Sequence, residues 1–159
     1  MSELAAAIHE WLLARDETVA TAESLTGGML GASLTGTPGA SATYRGGLVV
    51  YATDLKAELA DVPLDLLAER GPVDADVAAA LARGARTRLV ATWGLAVTGV
   101  AGPDPQGEQP VGTVFAAVAG PVGQVRVGSA RLDGDRDQVR AAAVELALRL
   151  LHDRLAERE

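Results

Sequence analysis

Apolar residues recur first at helical and then at strand-like spacing along the chain. Leu4 and Ile8 share one helical face, and Ser2 stands where it can cap that helix. Residues 18–22 are short and β-prone, and they run into a polar turn that contains glycine. This order predicts a helix, a strand and a turn that opens a second helix over about residues 25–34.

The rest of the chain continues to alternate strands with helices. Apolar runs predict buried strands at 48–51 and 95–98, and alternating residues predict a hairpin formed by 113–118 and 124–130. Caps and breakers predict four further helices: one after Thr53 or Asp54, a short one between Pro63 and Gly71, one from Asp74 to about Arg88, and a last one capped by Asp135 with Val139, Ala143, Leu146 and Leu150 in its buried stripe. We therefore predict one three-layer α/β/α domain over residues 1–159, with a mixed, mostly parallel sheet.

The fold class indicates where a ligand binds. In open α/β sheets, ligands occupy the crevice beyond the carboxyl ends of the strands. Segments 23–28, 51–56 and 98–103 each follow a predicted strand, so we expect them to meet at one site. The loop at 99–112 contains three prolines and four glycines, and loops of this length are usually functional or disordered.

Composition narrows the range of partners. Hydrophobic residues make up 48% of the chain but include only two Trp, two Tyr and one Phe, which predicts a core of Ala, Val and Leu. The net charge of −7 opposes binding to nucleic acid or to an anionic membrane. The chain has no cysteine, and His9 and His152 lie at opposite ends, so we expect no metal site. With no secretory pattern or long apolar run, we expect a cytoplasmic protein.

Several motifs carry a family resemblance. They are Ala22-Glu23-Ser24-Leu25-Thr26-Gly27-Gly28, Gly39-Ala40-Ser41, Tyr51 with Lys56, Thr98-Gly99-Val100-Ala101-Gly102-Pro103, Pro110-Val111-Gly112-Thr113 and Gly134-Asp135-Arg136. In this order, from about residue 3 to residue 155, they resemble the CinA carboxy-terminal domain family, which includes the nicotinamide mononucleotide deamidases. The resemblance implies a homo-oligomer, dimeric or higher, that converts nicotinamide mononucleotide to nicotinic acid mononucleotide and ammonia in pyridine nucleotide salvage, without metal or cofactor.

The resemblance also implies roles for individual residues. Matched motif by motif, it gives Ser41 as the catalytic serine, Lys56 as its base, Tyr51 as the catalytic tyrosine, Thr98 as a site threonine, and Arg136 as the arginine of the closing motif, with Arg140 one helical turn further. The remaining predicted substrate-binding residues are Glu23, Ser24, Thr26, Gly27, Gly28, Gly99 and Gly102.

Physical chemistry gives these residue types a reason to lie together. A serine hydroxyl is a weak nucleophile until a base removes its proton. Lys56 serves as that base only when neutral, so burial or a nearby cation such as Arg136 must lower its pKa from about 10.4. The Tyr51 hydroxyl is expected to relay a proton or orient the lysine. Backbone amides at 27–28 or at 99–102 are expected to stabilise the oxyanion.

The substrate phosphate has two predicted positions. The helix that follows Ser24 and the last helix both offer free amides at their amino ends, and Arg136 or Arg140 can add a bidentate contact. The glycine pair at 27–28 matches neither the dinucleotide nor the P-loop fingerprint, so we predict no ATP or NAD cofactor.

Alternatives remain for the nucleophile and for the function. Ser24 competes with Ser41 because it precedes a helix and two glycines, but we interpret it as a helix cap. Read alone, Ser41 is a small turn residue and Lys56 a solvated helix residue. The rival function is a non-catalytic nucleotide-binding or regulatory protein of the competence and DNA-damage response. A third is hydrolysis of another amide, such as free nicotinamide or its riboside.

Overall fold

The computed structural model describes residues 2–158, which form six α-helices and five strands. The helices are α1 (Glu3–Ala14), α2 (Met29–Thr35), α3 (Thr53–Ala60), α4 (Leu64–Arg70), α5 (Ala75–Arg88) and α6 (Arg136–Ala156). The strands are β1 (Val19–Glu23), β2 (Tyr44–Val49), β3 (Trp93–Gly99), β4 (Thr113–Ala119) and β5 (Val125–Arg131). None of these helices is both long enough and apolar enough to cross a bilayer.

The sheet confirms the predicted α/β/α architecture. Its strand order is β2-β1-β3-β4-β5, with β1 parallel to both β2 and β3 and with β4 antiparallel to β3 and β5. Only β4 therefore runs against the other strands in the described chain. Buried side chains of α1, α2 and α6 cover one face, and those of α3, α4 and α5 cover the other.

The two faces of the sheet carry side chains of different size. Strand periodicity sends Leu95 and Val97 of β3 toward α1 and α6, whereas Ala96 between them faces α5. A Cβ on Gly94 of β3 would overlap the backbone carbonyl of Ala82 in α5. The expected core of small residues thus allows α5 to lie unusually close to the sheet.

A similar close contact joins α5 to α3. A Cβ on Gly84 of α5 would overlap the backbone carbonyl of Ala60, the last residue of α3. Only glycine lets the two helix backbones approach this closely.

Local capping signals locate most helix starts correctly. The side chains of Ser2, Asp74 and Asp135 each accept backbone N–H bonds at the starts of α1, α5 and α6, as predicted. The predicted cap of α3 is wrong, since the helix already includes Thr53 and its cap position is Ala52, which offers no side-chain acceptor.

The buried stripe of α6 is broader than predicted. Val139 and Ala143 are fully buried, but Leu146 and Leu150 lie only at the margin of the core. Val144, Ala147, Leu148, Leu151 and Leu155 complete the buried face. The predicted stripe of four residues is therefore rotated slightly around the helix axis from the face of α6 that packs against the sheet.

Strand β2 also differs from its prediction. The apolar run at 48–51 predicts a buried strand, but β2 ends at Val49 and alternates half-buried with exposed residues. It does so because it is an edge strand, so a central-strand pattern does not apply. After Val49 the chain leaves the sheet. The parallel strands β1, β2 and β3 therefore all finish on the same side of the sheet, which we call its carboxyl edge.

Candidate active site

A pocket lies at the carboxyl ends of the three parallel strands, where segments 23–28, 51–56 and 98–103 were predicted to meet. Its volume is about 160 Å³. The residues that line it are Ser24, Leu25, Tyr51, Thr53, Lys56, Pro72, Val73, Gly99, Val100, Ala101, Gly102, Asp104, Gln106 and Arg136. All three segments contribute, so the predicted convergence is confirmed.

Lys56 is buried beneath this pocket. Its side chain is 1% exposed, and its Nζ lies 3.0 Å from Ser24 Oγ, 2.8 Å from the Val50 carbonyl oxygen and 3.2 Å from the Tyr51 carbonyl oxygen. All three partners are neutral oxygens. Burial without a countercharge lowers the pKa of Lys56 to about 8. Its place in the first two turns of α3, near the positive end of the helix dipole, also disfavours a cation.

Ser24 is the hydroxyl that the structure brings to this lysine. It follows β1 directly, is 7% exposed and lines the pocket. The interpretation of Ser24 as a helix cap is wrong, because α2 begins only at Met29 and its cap position is Gly28. The chain makes a tight turn between β1 and α2, and this turn leaves the Ser24 side chain free to face Lys56.

Ser41 lies at the other edge of the sheet. It belongs to a short 3₁₀ turn, Ala40–Ala42, just before β2, and it is exposed beside Pro38 and Tyr44. Lys56 follows the opposite end of β2, so the whole strand separates the two side chains. The predicted pairing of Ser41 with Lys56 is therefore wrong.

Tyr51 contacts the lysine through its backbone rather than its hydroxyl. The side chain is 60% exposed, and its hydroxyl accepts a 3.3 Å hydrogen bond from Arg136 Nη2. Arg136 also donates from Nη1 to the Gly102 carbonyl, so one guanidinium joins the two sides of the pocket mouth. The expectation that the Tyr51 hydroxyl relays a proton to Lys56 does not match this geometry.

The turn after Ser24 uses its polar groups internally. Glu23 is 2% exposed, and its carboxylate accepts hydrogen bonds from Thr26 Oγ1 and from the Gly28 amide. The Gly27 amide donates to the Ser24 carbonyl. None of the four predicted binding residues Glu23, Thr26, Gly27 and Gly28 lines the pocket, so the structure does not bring them to it. The Leu30 and Gly31 amides also donate to Glu23 and the Met29 amide donates to the Thr26 carbonyl, so the amides at the amino end of α2 are already bonded within the protein.

Two further predicted binding residues lie outside the pocket lining. Thr98 is fully buried and donates to the Pro72 carbonyl at 2.8 Å, which fixes one wall of the pocket. Arg140 donates from Nε to the Leu25 carbonyl at 3.0 Å. At the start of α6, the Asp135 carboxylate already accepts the Gln138 amide. Of the two predicted phosphate-binding arginines, the one that reaches the pocket is thus Arg136.

Some site features were missed from the sequence. Asp104 and Gln106 of the long loop line the pocket, and a backbone bridge between Gln106 and Gln109 gives this loop a small ordered turn. One usable signal was overlooked: Lys56 is the only lysine among 14 basic residues. Within residues 2–158, no three His, Asp or Glu side chains converge on a metal-sized site.

Comparison with known sequences gives a family match over nearly the whole chain. The model of the CinA C-terminal domain matches residues 1–155. A CinA-like protein of Frankia casuarinae is 53% identical over 145 residues, and one of Anaeromyxobacter sp. (strain Fw109-5) is 50% identical over 150 residues. These alignments cover 91% and 94% of this chain but 33% and 36% of those proteins, so the chain spans about a third of the length of the curated relatives it matches.

Solved structures agree in fold over the full domain. A competence-damaged protein (CinA) superfamily protein from Klebsiella pneumoniae 700603 is similar with a TM-score of 0.92 at 33% identity, covering 98% of this chain and 97% of that one. A competence/damage inducible protein from Agrobacterium tumefaciens has a TM-score of 0.92 at 36% identity, covering 97% and 94%. On this sequence and structural agreement, the chain belongs to the CinA C-terminal domain family.

Proposed function

We propose that this domain is an amidohydrolase that releases ammonia from nicotinamide mononucleotide, with Ser24 as nucleophile and Lys56 as its base. The observation that carries the proposal is the 3.0 Å contact between Lys56 Nζ and Ser24 Oγ in a pocket at the strand ends. The substrate comes from the family resemblance, since amide hydrolysis is the reaction that its deamidase members perform.

The lysine is held in a way that suits a base. A neutral amine has two N–H bonds and one lone pair. The carbonyls of Val50 and Tyr51 accept the two N–H bonds, which leaves the lone pair directed at Ser24 Oγ. With its pKa at about 8, roughly a tenth of the molecules carry neutral Lys56 at about pH 7. Both protonation states keep all three hydrogen bonds, so the lysine takes and returns a proton without moving.

The proposed reaction proceeds in two stages. Ser24 Oγ attacks the carboxamide carbon while its proton passes to Lys56 Nζ. The tetrahedral intermediate collapses, the carbon–nitrogen bond breaks, and Lys56 returns the proton to the leaving ammonia. Water then attacks the acyl carbon of the ester while Lys56 Nζ takes a proton from the water. The bond between Ser24 Oγ and the acyl carbon breaks, and Lys56 returns the proton to Ser24 Oγ. Nicotinic acid mononucleotide leaves and the enzyme is restored.

The pocket also offers groups for the oxyanion and for the rest of the substrate. Ala101 and Gly102 line it, and their backbone amides have no acceptor among residues 2–158, which supports their use as oxyanion donors. A pocket volume of about 160 Å³ is below the roughly 300–1,000 Å³ of pockets that hold a whole drug-sized ligand. We therefore expect only the amide-bearing ring to enter the pocket, with the ribose and phosphate at the mouth, beside Arg136.

The test compares two serine variants on one substrate. Purified wild type is incubated with nicotinamide mononucleotide and released ammonia is measured. We expect Ser24→Ala to lose at least about 10³-fold in kcat, as for other catalytic nucleophiles, and the matched variant Ser41→Ala to stay within about twofold of wild type. Loss of activity in Ser41→Ala with retention in Ser24→Ala would reverse the assignment.

The same assay separates the rival functions. A non-catalytic nucleotide-binding or regulatory domain releases no ammonia above the Ser24→Ala background, although it still binds the nucleotide. Hydrolysis of a different amide appears as higher kcat/KM on free nicotinamide or its riboside than on the phosphorylated substrate. The buried Lys56–Ser24 pair favours catalysis, because a binding pocket has no need of a desolvated amine at a hydroxyl.

A further inference from the structure

Glu23 is buried next to the proposed nucleophile but does not enter the pocket. Its Oε1 accepts hydrogen bonds from Thr26 Oγ1 at 2.6 Å, the Gly28 amide at 3.2 Å and the Leu30 amide at 2.8 Å, and its Oε2 accepts one from the Gly31 amide at 3.0 Å. Every partner is a donor, so both oxygens act only as acceptors. The side chain therefore replaces the missing N-cap of α2 from a residue that lies before the turn.

The backbone around Ser24 is held from two sides. Upstream, the sheet fixes it, because the Ser24 amide donates to the Val97 carbonyl and the Glu23 carbonyl accepts from the Val50 amide. Downstream, the turn has two internal backbone bonds, from the Gly27 amide to the Ser24 carbonyl and from the Met29 amide to the Thr26 carbonyl, and Arg140 Nε donates to the Leu25 carbonyl. The other donors of this segment converge on the Glu23 carboxylate, so the position of the Ser24 side chain depends in part on that carboxylate.

From this arrangement we infer that Glu23 is a positioning residue, whose carboxylate fixes the turn after β1 so that Ser24 Oγ stays in hydrogen-bonding reach of Lys56 Nζ. The expected effect of Glu23 on kcat rests on the proposed function, whereas its expected effect on the distance between Ser24 Oγ and Lys56 Nζ does not. Glutamine keeps one acceptor oxygen but directs an NH₂ group at an amide donor, most directly that of Gly31. The turn must then shift to separate two donors, and Ser24 shifts with it.

The kinetic test uses Glu23→Gln, with Glu17→Gln as the matched control. Glu17 lies before the other end of β1, and its carboxylate accepts from the Trp93 indole at 2.8 Å and from Arg158. For Glu23→Gln we expect kcat per folded molecule to fall about 10²-fold, the size reported for misplacing a reacting group by about 1 Å, with KM within about twofold. Glu17→Gln should retain both constants. A merely structural role lowers the folded fraction and leaves kcat per folded molecule unchanged.

The structural test does not depend on turnover. In a crystal structure of Glu23→Gln, we expect the distance from Ser24 Oγ to Lys56 Nζ to exceed about 3.5 Å, where no hydrogen bond remains. If wild type releases no ammonia, the proposed function fails, and this distance alone still decides the role of Glu23. An unchanged distance, or a wild-type kcat per folded molecule, overturns the inference.

Thr26→Val covers the case in which Glu23→Gln does not fold. It replaces the hydroxyl that donates to Glu23 Oε1 with a methyl group of similar size. We expect a severalfold loss of kcat with KM unchanged. Wild-type kcat in this variant, together with an unfolded Glu23→Gln, shows that the carboxylate serves stability alone and rejects the positioning role.

Discussion

Ser24 and Ser41 stand in similar local sequence, each within four residues of glycine, but at opposite edges of the same sheet. At the carboxyl edge, Ser24 is 7% exposed and lies against a buried lysine. At the amino edge, Ser41 is exposed in a turn beside Tyr44. What distinguishes the two serines is the buried lysine that the fold brings to Ser24, and for this reason we propose Ser24 as the nucleophile.

The largest expected effect comes from removing the Lys56 amine, the group that Ser24 contacts and Ser41 lacks. Lys56→Met keeps side-chain bulk but deletes the amine, so kcat for ammonia release should fall by about 10²–10⁴-fold, the usual contribution of a general base. Binding of the nucleotide, measured by calorimetry, should change little, because Lys56 is 1% exposed and its Nζ is hydrogen-bonded to three protein oxygens. The control is Arg45→Met on β2, whose side chain bonds to the Leu89 carbonyl and which should keep wild-type kcat. Wild-type turnover by Lys56→Met would show that another group takes the proton.

A second prediction concerns stability, because burial lowers the Lys56 pKa from 10.5 to about 8. Below about pH 8 both the native and the unfolded chain carry the proton, whereas from about pH 8 to 10.5 only the unfolded chain does. The free energy of unfolding should therefore rise by about 3 kcal/mol across this window. In Lys56→Met the rise should be absent.

The measurement is urea denaturation of both proteins from about pH 7 to 10.5, analysed as a difference curve. Burial also raises the pKa of Tyr44, which lowers stability at the alkaline end, but this contribution is common to both proteins and cancels. A flat difference curve would mean that the buried amine titrates normally.

The smallest effect sharpens the comparison inside the active site itself. Because only the neutral amine accepts the Ser24 proton, kcat should rise about tenfold from about pH 7 and level off above a midpoint near pH 8. Lys56 is the only lysine in the sequence, so [¹³C]lysine labelling gives one side-chain NMR signal. The NMR titration of the free protein should have the same midpoint as the pH dependence of kcat/KM, because kcat/KM reports the pKa of the free enzyme. Two different midpoints would assign the rate dependence to another group.

Much of the fold could be predicted because its signals are local. Caps at Ser2, Asp74 and Asp135 act on amides two or three residues away, and strand alternation needs only neighbouring residues. The end of β2 could not be predicted in the same way, since it depends on an edge position that other strands determine. The meeting of three segments at one sheet edge followed from topology alone.

The candidate active site could be predicted only in part for the same reason. Topology placed Lys56 at the correct edge, but choosing between Ser24 and Ser41 required knowing which hydroxyl lies within 3.0 Å of its Nζ. The role of Glu23 was equally hidden, because its side chain reaches forward to amides as far as Gly31. Motif matching gives Ser41 the role that we propose for Ser24 on the basis of its proximity to Lys56.

The contact between Gly84 and Ala60 connects helix spacing to the chemistry. Ala60 ends α3, the helix that carries Lys56, and the backbone of α5 packs directly against it. A methyl group at position 84 would push α3 away from α5 and so change the distance between Lys56 Nζ and Ser24 Oγ. The proposed base is thus open to tuning, by evolution or by design, through a residue outside the pocket lining.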